Sequence, residues 1–332
     1  MAHLALTLAV LAMTVATTAY KKKTLDMAPY SFDDQYRGCG SAMKAKLPAL
    51  KRSEFQKNRL FAKGWQRAVA EWQSRGSRVS PLSSSDQAIA IVAYTMNDLF
   101  KEFNNKVRVA GRYRWVYRKW FHFKALHFLL TDALATLRAA QGQKCHRVYR
   151  GVDNYLFAAK RGNTVRFGQF ASASLCERVA RRFGKTTMFK VQTCHGAYIK
   201  AFSKFSKEEE VLIPPFEKFN VTNVIKKGKK VEIYLESIGT YSKYNCEWLK
   251  DSAVETDPGC GWAGTPPLYP LNPSPLAPPG TPCHLLSLPV TPHVPPITPV
   301  TPKPTMTPLT SLAFAPPHFN SAHNLGAVAK AQ

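Results

Sequence analysis

The chain has 332 residues, with 46 Lys and Arg against 21 Asp and Glu and a formal net charge of +25. That length suits one large or two ordinary domains. No spacing of its Cys and His residues fits a metal site, and its first apolar run is shorter than the ~20 residues a membrane span requires. All of the excess charge precedes residue 251, because the remainder carries only Asp251, Glu255 and Asp257 against Lys303 and Lys330 and is itself slightly acidic. So strong a positive balance can concentrate an anionic ligand, or hold the protein weakly on acidic glycans or membranes.

Residues 4–13 are apolar except for Thr7 and are followed by the small residues Ala16, Thr17, Thr18 and Ala19. This reads as a secretory signal over residues 1–19, although no Lys or Arg precedes the run. Secretion permits disulfides, and seven cysteines leave at least one without an internal partner. Residues 47–72 set Leu60, Phe61, Trp65, Val69 and Trp72 at near-helical spacing. A second helix is expected to start at the Ser83-Ser84-Ser85-Asp86 cap cluster and to run through Ile89, Ile91, Val92, Tyr94, Met96, Leu99 and Phe100. A third covers residues 120–140. Between these, residues 112–120 alternate bases and aromatics as nucleic-acid binders do. A secreted chain has little access to nucleic acid, so the segment is expected to be an irregular edge with snorkelling side chains and no nucleic-acid partner.

From Lys144 the pattern becomes β-rich. Strands are expected over residues 146–152, 164–170, 187–193 and 197–202, with one helix opened by the capping box Ser174…Glu177 and closed by Gly184. Residues 219–225 and 231–236 flank Lys226-Lys227-Gly228-Lys229-Lys230 as a hairpin. Helices first and strands later predict an α+β fold. Residues 20–250 form the folded domain, and 251–332 form an extended proline-rich tail typified by Pro295-Pro296-Ile297-Thr298-Pro299. The sequon Asn220-Val221-Thr222 is a glycosylation candidate if its strand edge is open. The C-terminal residues 324–332 hold no hydrophobic stretch suited to a GPI signal, so soluble secretion is expected.

Three separated blocks carry chemistry. Arg150 follows Val148-Tyr149, Phe170-Ala171-Ser172-Ala173-Ser174 joins an aromatic to a serine pair, and Glu208-Glu209-Glu210 runs into Val211-Leu212-Ile213-Pro214-Pro215. A cation, serines and two carboxylates in that order suit a site that holds a dinucleotide and attacks its ribosyl carbon. On a strand, alternate residues share a face, which would set Glu208 beside Glu210 and turn Glu209 away.

These blocks, with Cys145-His146-Arg147 ahead of the first and Gly168-Gln169 ahead of the second, resemble the arginine-specific mono-ADP-ribosyltransferases of vertebrate cell surfaces and secretions. The signature of that family is Arg, then Ser-x-Ser, then Glu-x-Glu. The resemblance begins near Leu25-Asp26-Met27-Ala28-Pro29 and ends near Trp248-Leu249-Lys250. It implies an N-terminal helical part packed on a mixed or antiparallel sheet, with NAD as co-substrate and NADP as the alternative. Arginine-containing proteins or small guanidino compounds would be the acceptors, on a monomeric enzyme. By the same resemblance Arg150 grips the phosphates, Ser172 supports the site, Glu210 steadies the electron-poor ribose and Glu208 readies the acceptor guanidinium. Tyr94, Gln169 and Ser203 would line the NAD pocket with Arg150 and Ser172. Ser174 reads instead as a helix cap. Pairing Cys39 with Cys246 and Cys145 with Cys194 is also implied, leaving Cys176, Cys260 and Cys283. Two rivals remain: an NAD glycohydrolase using water on the same site, and a cationic binding protein that has lost catalysis.

Overall fold

The computed structural model describes residues 20–96 and 99–251. The expected signal segment, the proline-rich tail, Cys260 and Cys283 lie outside the described residues. The elements, in order, are β1 (Lys21–Thr24), α1 (Gly40–Lys57), α2 (Arg59–Ser74), α3 (Ser85–Thr95), α4 (Phe100–Ala110), α5 (Arg114–Trp120) and α6 (Lys124–Ala140). There follow β2 (His146–Val152), β3 (Tyr155–Ala158), β4 (Thr164–Val165), β5 (Ala171–Ser174), α7 (Glu177–Phe183), β6 (Thr187–Thr193) and β7 (Ala197–Tyr198). Last come β8 (Glu210–Ile213), β9 (Glu217–Lys227) and β10 (Lys230–Thr240). The eight-stranded sheet runs β4-β9-β10-β6-β2-β5-β8-β7, with β6 and β10 parallel and the other pairs antiparallel; β1 pairs with β3 apart from it. This is the expected α+β arrangement. Among the described residues, no helix is long and apolar enough to cross a membrane.

Several boundaries differ from the sequence reading, each for a physical reason. The single helix expected over residues 47–72 is two, because Asn58 leaves the helical region at φ −136° and its side chain accepts the Phe61 N–H to cap α2. The second helix stops at Thr95, and Phe100 opens α4 instead. Residues 114–120 are helical rather than an irregular edge, since Tyr117 is fully buried and stacks on Phe32 at 3.8 Å. Burial of one large aromatic is worth about 2 kcal/mol or more, enough to fix a short helix that would not persist alone. The third helix starts at Lys124, where the Glu54 carboxylate of α1 accepts the Lys124 N–H (2.7 Å) and the Ala125 N–H (2.9 Å). That cap comes from 70 residues away and has no local signature. The strands expected over residues 164–170 and 197–202 shorten to β4 and β7.

The two ends of the domain are tied together. Cys39 bonds Cys246 and Cys145 bonds Cys194, as the resemblance implied. Closing the 49-residue loop stabilises by about 4 kcal/mol in the chain-entropy model. Asp33, fully buried, accepts hydrogen bonds from Arg166 (2.6 Å), Lys243 N (2.8 Å) and Tyr244 N (3.2 Å), while Asp34 accepts the N–H groups of Tyr36, Cys246 and Glu247. Arg166 also donates to the carbonyls of Met27, Ala28 and Tyr241, so it fixes the segment that leads into α1. On β2, Gly151 lets α7 approach: a Cβ there would sit 2.3 Å from the carbonyl oxygens of Ala180 and Gly184. Asn220 of the sequon lies half-buried on β9, paired with Thr164 on one side and Glu236 on the other. The strand is therefore not an open edge at this position.

The helical core centres on Phe32, Phe61, Phe103, Phe121, Phe123, Phe128 and Phe170, and it encloses His127. The His127 ring faces Tyr36 Oη through Nδ1 (2.9 Å) and the Phe32 carbonyl through Nε2 (3.3 Å). Burial pushes its pKa down to about 3, against 6.5 for a free imidazole. The unfolded chain takes up a proton below pH 6.5 that the native state excludes until about pH 3, so stability falls with acidification across that window. His127→Gln is expected to remove up to about 1.4 kcal/mol per pH unit from the slope of unfolding free energy there, as measured by denaturant titration. An unchanged slope would refute the assignment.

Candidate active site

β2 and β5 share one register pair, Tyr149 with Ser174. The sheet parts at that point, and the candidate residues gather around the opening. Arg150 is only 8% exposed, and its Nη1 donates to the Ser172 carbonyl at 2.6 Å. Burial lowers its pKa; the neighbouring Arg108 adds to that effect, while Tyr94 and Glu210 oppose it. A narrow crevice of about 20 Å³ has Arg150, Ser172, Ser174, Glu208 and Glu210 in its wall. Arg150 also stands in the wall of a cavity of about 410 Å³, large enough for a dinucleotide-sized ligand to enter in part. This one arginine joins the two spaces.

The glutamates reach the crevice by a different route from strand alternation. Glu208 ends a 3-10 turn (Ser206–Glu208), Glu209 is left-handed (φ 47°, ψ 50°) and only Glu210 belongs to β8. Glu209 turns away as expected, but its carboxylate is held by Tyr198 and Lys200. Ser174 does not cap α7, where Cys176 takes the N-cap position. Its hydroxyl instead donates to the Glu208 carbonyl (2.7 Å) and accepts the Cys176 N–H (3.0 Å). The second serine of the motif therefore fixes the glutamate turn to β5. Cys176 is free and half-buried.

The remaining expected residues sort into walls and supports. Gln169 lines the larger cavity and accepts from Arg108. Ser203 is fully buried and lines neither space; its hydroxyl donates to Glu210 Oε2 at 2.9 Å. Tyr94 also lies behind the walls, donating to the Phe170 carbonyl at 2.9 Å and accepting from Asn104 at 3.1 Å. Burial pushes its pKa up to about 12; Glu210 adds to this, while Asn104, Arg150 and Ser172 act against it. It thus remains a donor at neutral pH and sets the backbone two residues before Ser172.

Sequence reasoning missed the cationic side of the larger cavity. Lys23, Lys101 and Arg108 line it together with Arg166, as do Asp26, Ala28 and Tyr30 of the segment that Arg166 fixes. Burial lowers the pKa of Lys23 and of Arg108, and Arg108 lowers that of Lys23 further. Like charges turned into one cavity suit an anion with several negative groups, which is what a dinucleotide diphosphate offers. The Leu25–Pro29 block, where the family resemblance begins, was the signal that could have pointed there. Among the described residues no cluster of His, Cys, Asp and Glu could hold a metal ion.

Residues 25–243 match the family model described as NAD:arginine ADP-ribosyltransferase. The chain is 50% identical over 241 residues to the erythroblast NAD(P)(+)–arginine ADP-ribosyltransferase of Gallus gallus, covering 72% of this chain and 80% of that protein. It is 48% identical to GPI-linked NAD(P)(+)–arginine ADP-ribosyltransferase 1 of Mus musculus (73% and 77% covered), and 43% identical to ecto-ADP-ribosyltransferase 5 of Homo sapiens (68% and 80%). Solved structures of the mono-ADP-ribosyltransferase ART2.2, in complex with NADH and with NAD, superpose with TM-score 0.59 at 37% identity, covering 67% of this chain and 98% of theirs. The matched span takes in Arg150, Ser172, Glu208 and Glu210 together with all of the adjoining cavity's wall except Lys23 and Thr24, and the chain belongs to the NAD:arginine ADP-ribosyltransferase family.

Proposed function

We propose that this enzyme transfers ADP-ribose from NAD to arginine side chains of extracellular proteins, with release of nicotinamide. The observation that carries the reading is the placement of Glu208 and Glu210 in one crevice wall, joined through Arg150 to a cation-lined cavity. NAD supplies an activated ribosyl carbon whose leaving group is neutral nicotinamide. Arg150 and Arg108 hold the diphosphate, the first as a planar fork with one edge committed to the Ser172 carbonyl. Glu210, oriented by the Ser203 hydroxyl, faces the positive charge that builds on the ribose mainly in the transition state, so it raises turnover more than affinity. Glu208 is half-buried, where it can meet an acceptor from solvent. A guanidinium has a pKa above about 12 and attacks poorly while charged, so Glu208 orients it and accepts its proton.

The two disulfides are those of a protein that folds in an oxidising compartment, in accord with the ecto and GPI-linked relatives. We take the mature protein to be soluble and secreted, acting as a monomer. NAD hydrolysis on the same site is the second reading, and the acidic side chain of Glu208 beside Glu210 disfavours it as the main reaction.

Incubation with labelled NAD and agmatine, followed for nicotinamide release and for label on agmatine, separates the readings. Transfer is expected; release without transfer would mean a glycohydrolase, and neither would mean a binding protein. Glu210→Gln is expected to lose both activities by about a hundredfold or more, whereas Glu208→Gln loses transfer and keeps hydrolysis. Transfer at the wild-type rate in Glu208→Gln would remove the role given to that residue. Arg108→Ala is expected to weaken NAD binding roughly tenfold, as the loss of one charge-assisted contact implies. Calorimetry with the inactive Glu210→Gln background measures this, and an unchanged Kd would place the diphosphate elsewhere.

A further inference from the structure

The convergence of Glu208 and Glu210 depends on the residue between them. A 3-10 turn ends at Glu208 and a strand begins at Glu210, so the path joins them only because Glu209 adopts φ 47° and ψ 50°. A side chain other than glycine stays in that region when its surroundings over-determine it. Here they do. The backbone is fixed on both sides: the Glu208 carbonyl accepts from Ser174, the Glu209 carbonyl from Leu175 N (3.0 Å) and the Glu210 carbonyl from Ile199 N (2.9 Å). The carboxylate is fixed separately, because Tyr198 Oη donates to Oε2 and Lys200 Nζ to Oε1. Tyr198 and Lys200 flank Ile199, whose N–H holds the Glu210 carbonyl, so one short segment grips the turn at side chain and backbone together. Hydrogen bonds from Lys200 and then Tyr198 lower the Glu209 pKa.

We propose that Glu209, clamped by Tyr198 and Lys200, is a positioning residue that sets how far the enzyme favours an arginine acceptor over water. Glu210 is fixed independently by β8 pairing and by Ser203, so loss of the clamp leaves the group that faces the ribose in place. Glu208 lies outside any strand, held at its carbonyl by Ser174, so the direction of its side chain follows the turn at Glu209. Loosening the turn therefore impairs alignment of the bulky incoming guanidinium far more than that of water, which is small, abundant and able to approach from several directions. The inference rests on the transferase reading above.

The test compares agmatine transfer with NAD hydrolysis in wild-type enzyme, in Glu209→Ala and in the double variant Tyr198→Phe with Lys200→Met, with thermal unfolding as the check on folding. Transfer is expected to fall about tenfold in both variants, with a raised KM for agmatine, while hydrolysis stays within about twofold and the KM for NAD is unchanged. Glu209→Gly, which adopts the left-handed conformation freely but lacks the carboxylate, is expected to behave like Glu209→Ala. A wild-type transfer-to-hydrolysis ratio in any of these variants overturns the proposal, as does a parallel loss of both activities. Failure of the wild-type enzyme itself to label agmatine overturns the transferase reading and this inference with it.

Discussion

Two opposite charges, the Arg150 guanidinium and the Glu210 carboxylate, are almost wholly removed from water where the sheet parts, and the rest of the site is arranged around that fact. They are 8% and 2% exposed. Buried charges persist only when neighbouring dipoles and partners compensate for lost hydration. The Ser172 carbonyl serves the arginine and the Ser203 hydroxyl serves the glutamate, and each of those groups is itself fixed by the fold. Groups held in this way need no reorganisation when charge develops on a substrate, which is the condition for electrostatic stabilisation of a transition state.

The scaffold supplies that rigidity through long-range ties. Arg166 and Asp33 join the segment after β1 to the loop beyond β10, and the Cys39–Cys246 disulfide closes the same circuit covalently. Lys23, Asp26, Ala28 and Tyr30 thereby become a wall of the larger cavity, although they precede the domain's first long helix. Glu217, fully buried, does similar work at the other end. It accepts from Thr193 Oγ1, the N–H groups of Cys194 and His195, and Ser237 Oγ, and so holds the turn that carries the second disulfide and leads into β7. From β7 the grip passes to β8 and the glutamates.

What could be read from the chain beforehand follows the range of the forces involved. β2 and β6 appear where alternation and β-branched residues put them, and the hairpin of β9 and β10 turns at Gly228, because these signals are local. Arg150, Ser172, Glu208 and Glu210 were legible as a set, since motif order survives even when the backbone path is misjudged. The path itself is not local: nothing in Glu208-Glu209-Glu210 announces a left-handed residue, because the groups that hold it, Ser174, Leu175, Tyr198 and Lys200, lie on other segments. The cap on α6 has no local signature for the same reason, its acceptor being Glu54. Ser174 carried a plausible capping pattern with Glu177, yet the carbonyl of Glu208 claims its hydroxyl. Arg108 and Lys101 sit on α4, whose place beside the cavity is set by the fold and by no local motif.

The division of labour between the two acidic side chains is tested most directly by a crystal structure of the enzyme with a non-hydrolysable NAD analogue. The account predicts a ribose hydroxyl of the nicotinamide half within about 3 Å of the Glu210 carboxylate, the diphosphate against Arg150, and open space before Glu208 for a guanidinium. A nicotinamide ribose bound more than about 6 Å from Glu210, or a diphosphate that leaves Arg150 untouched, would contradict it.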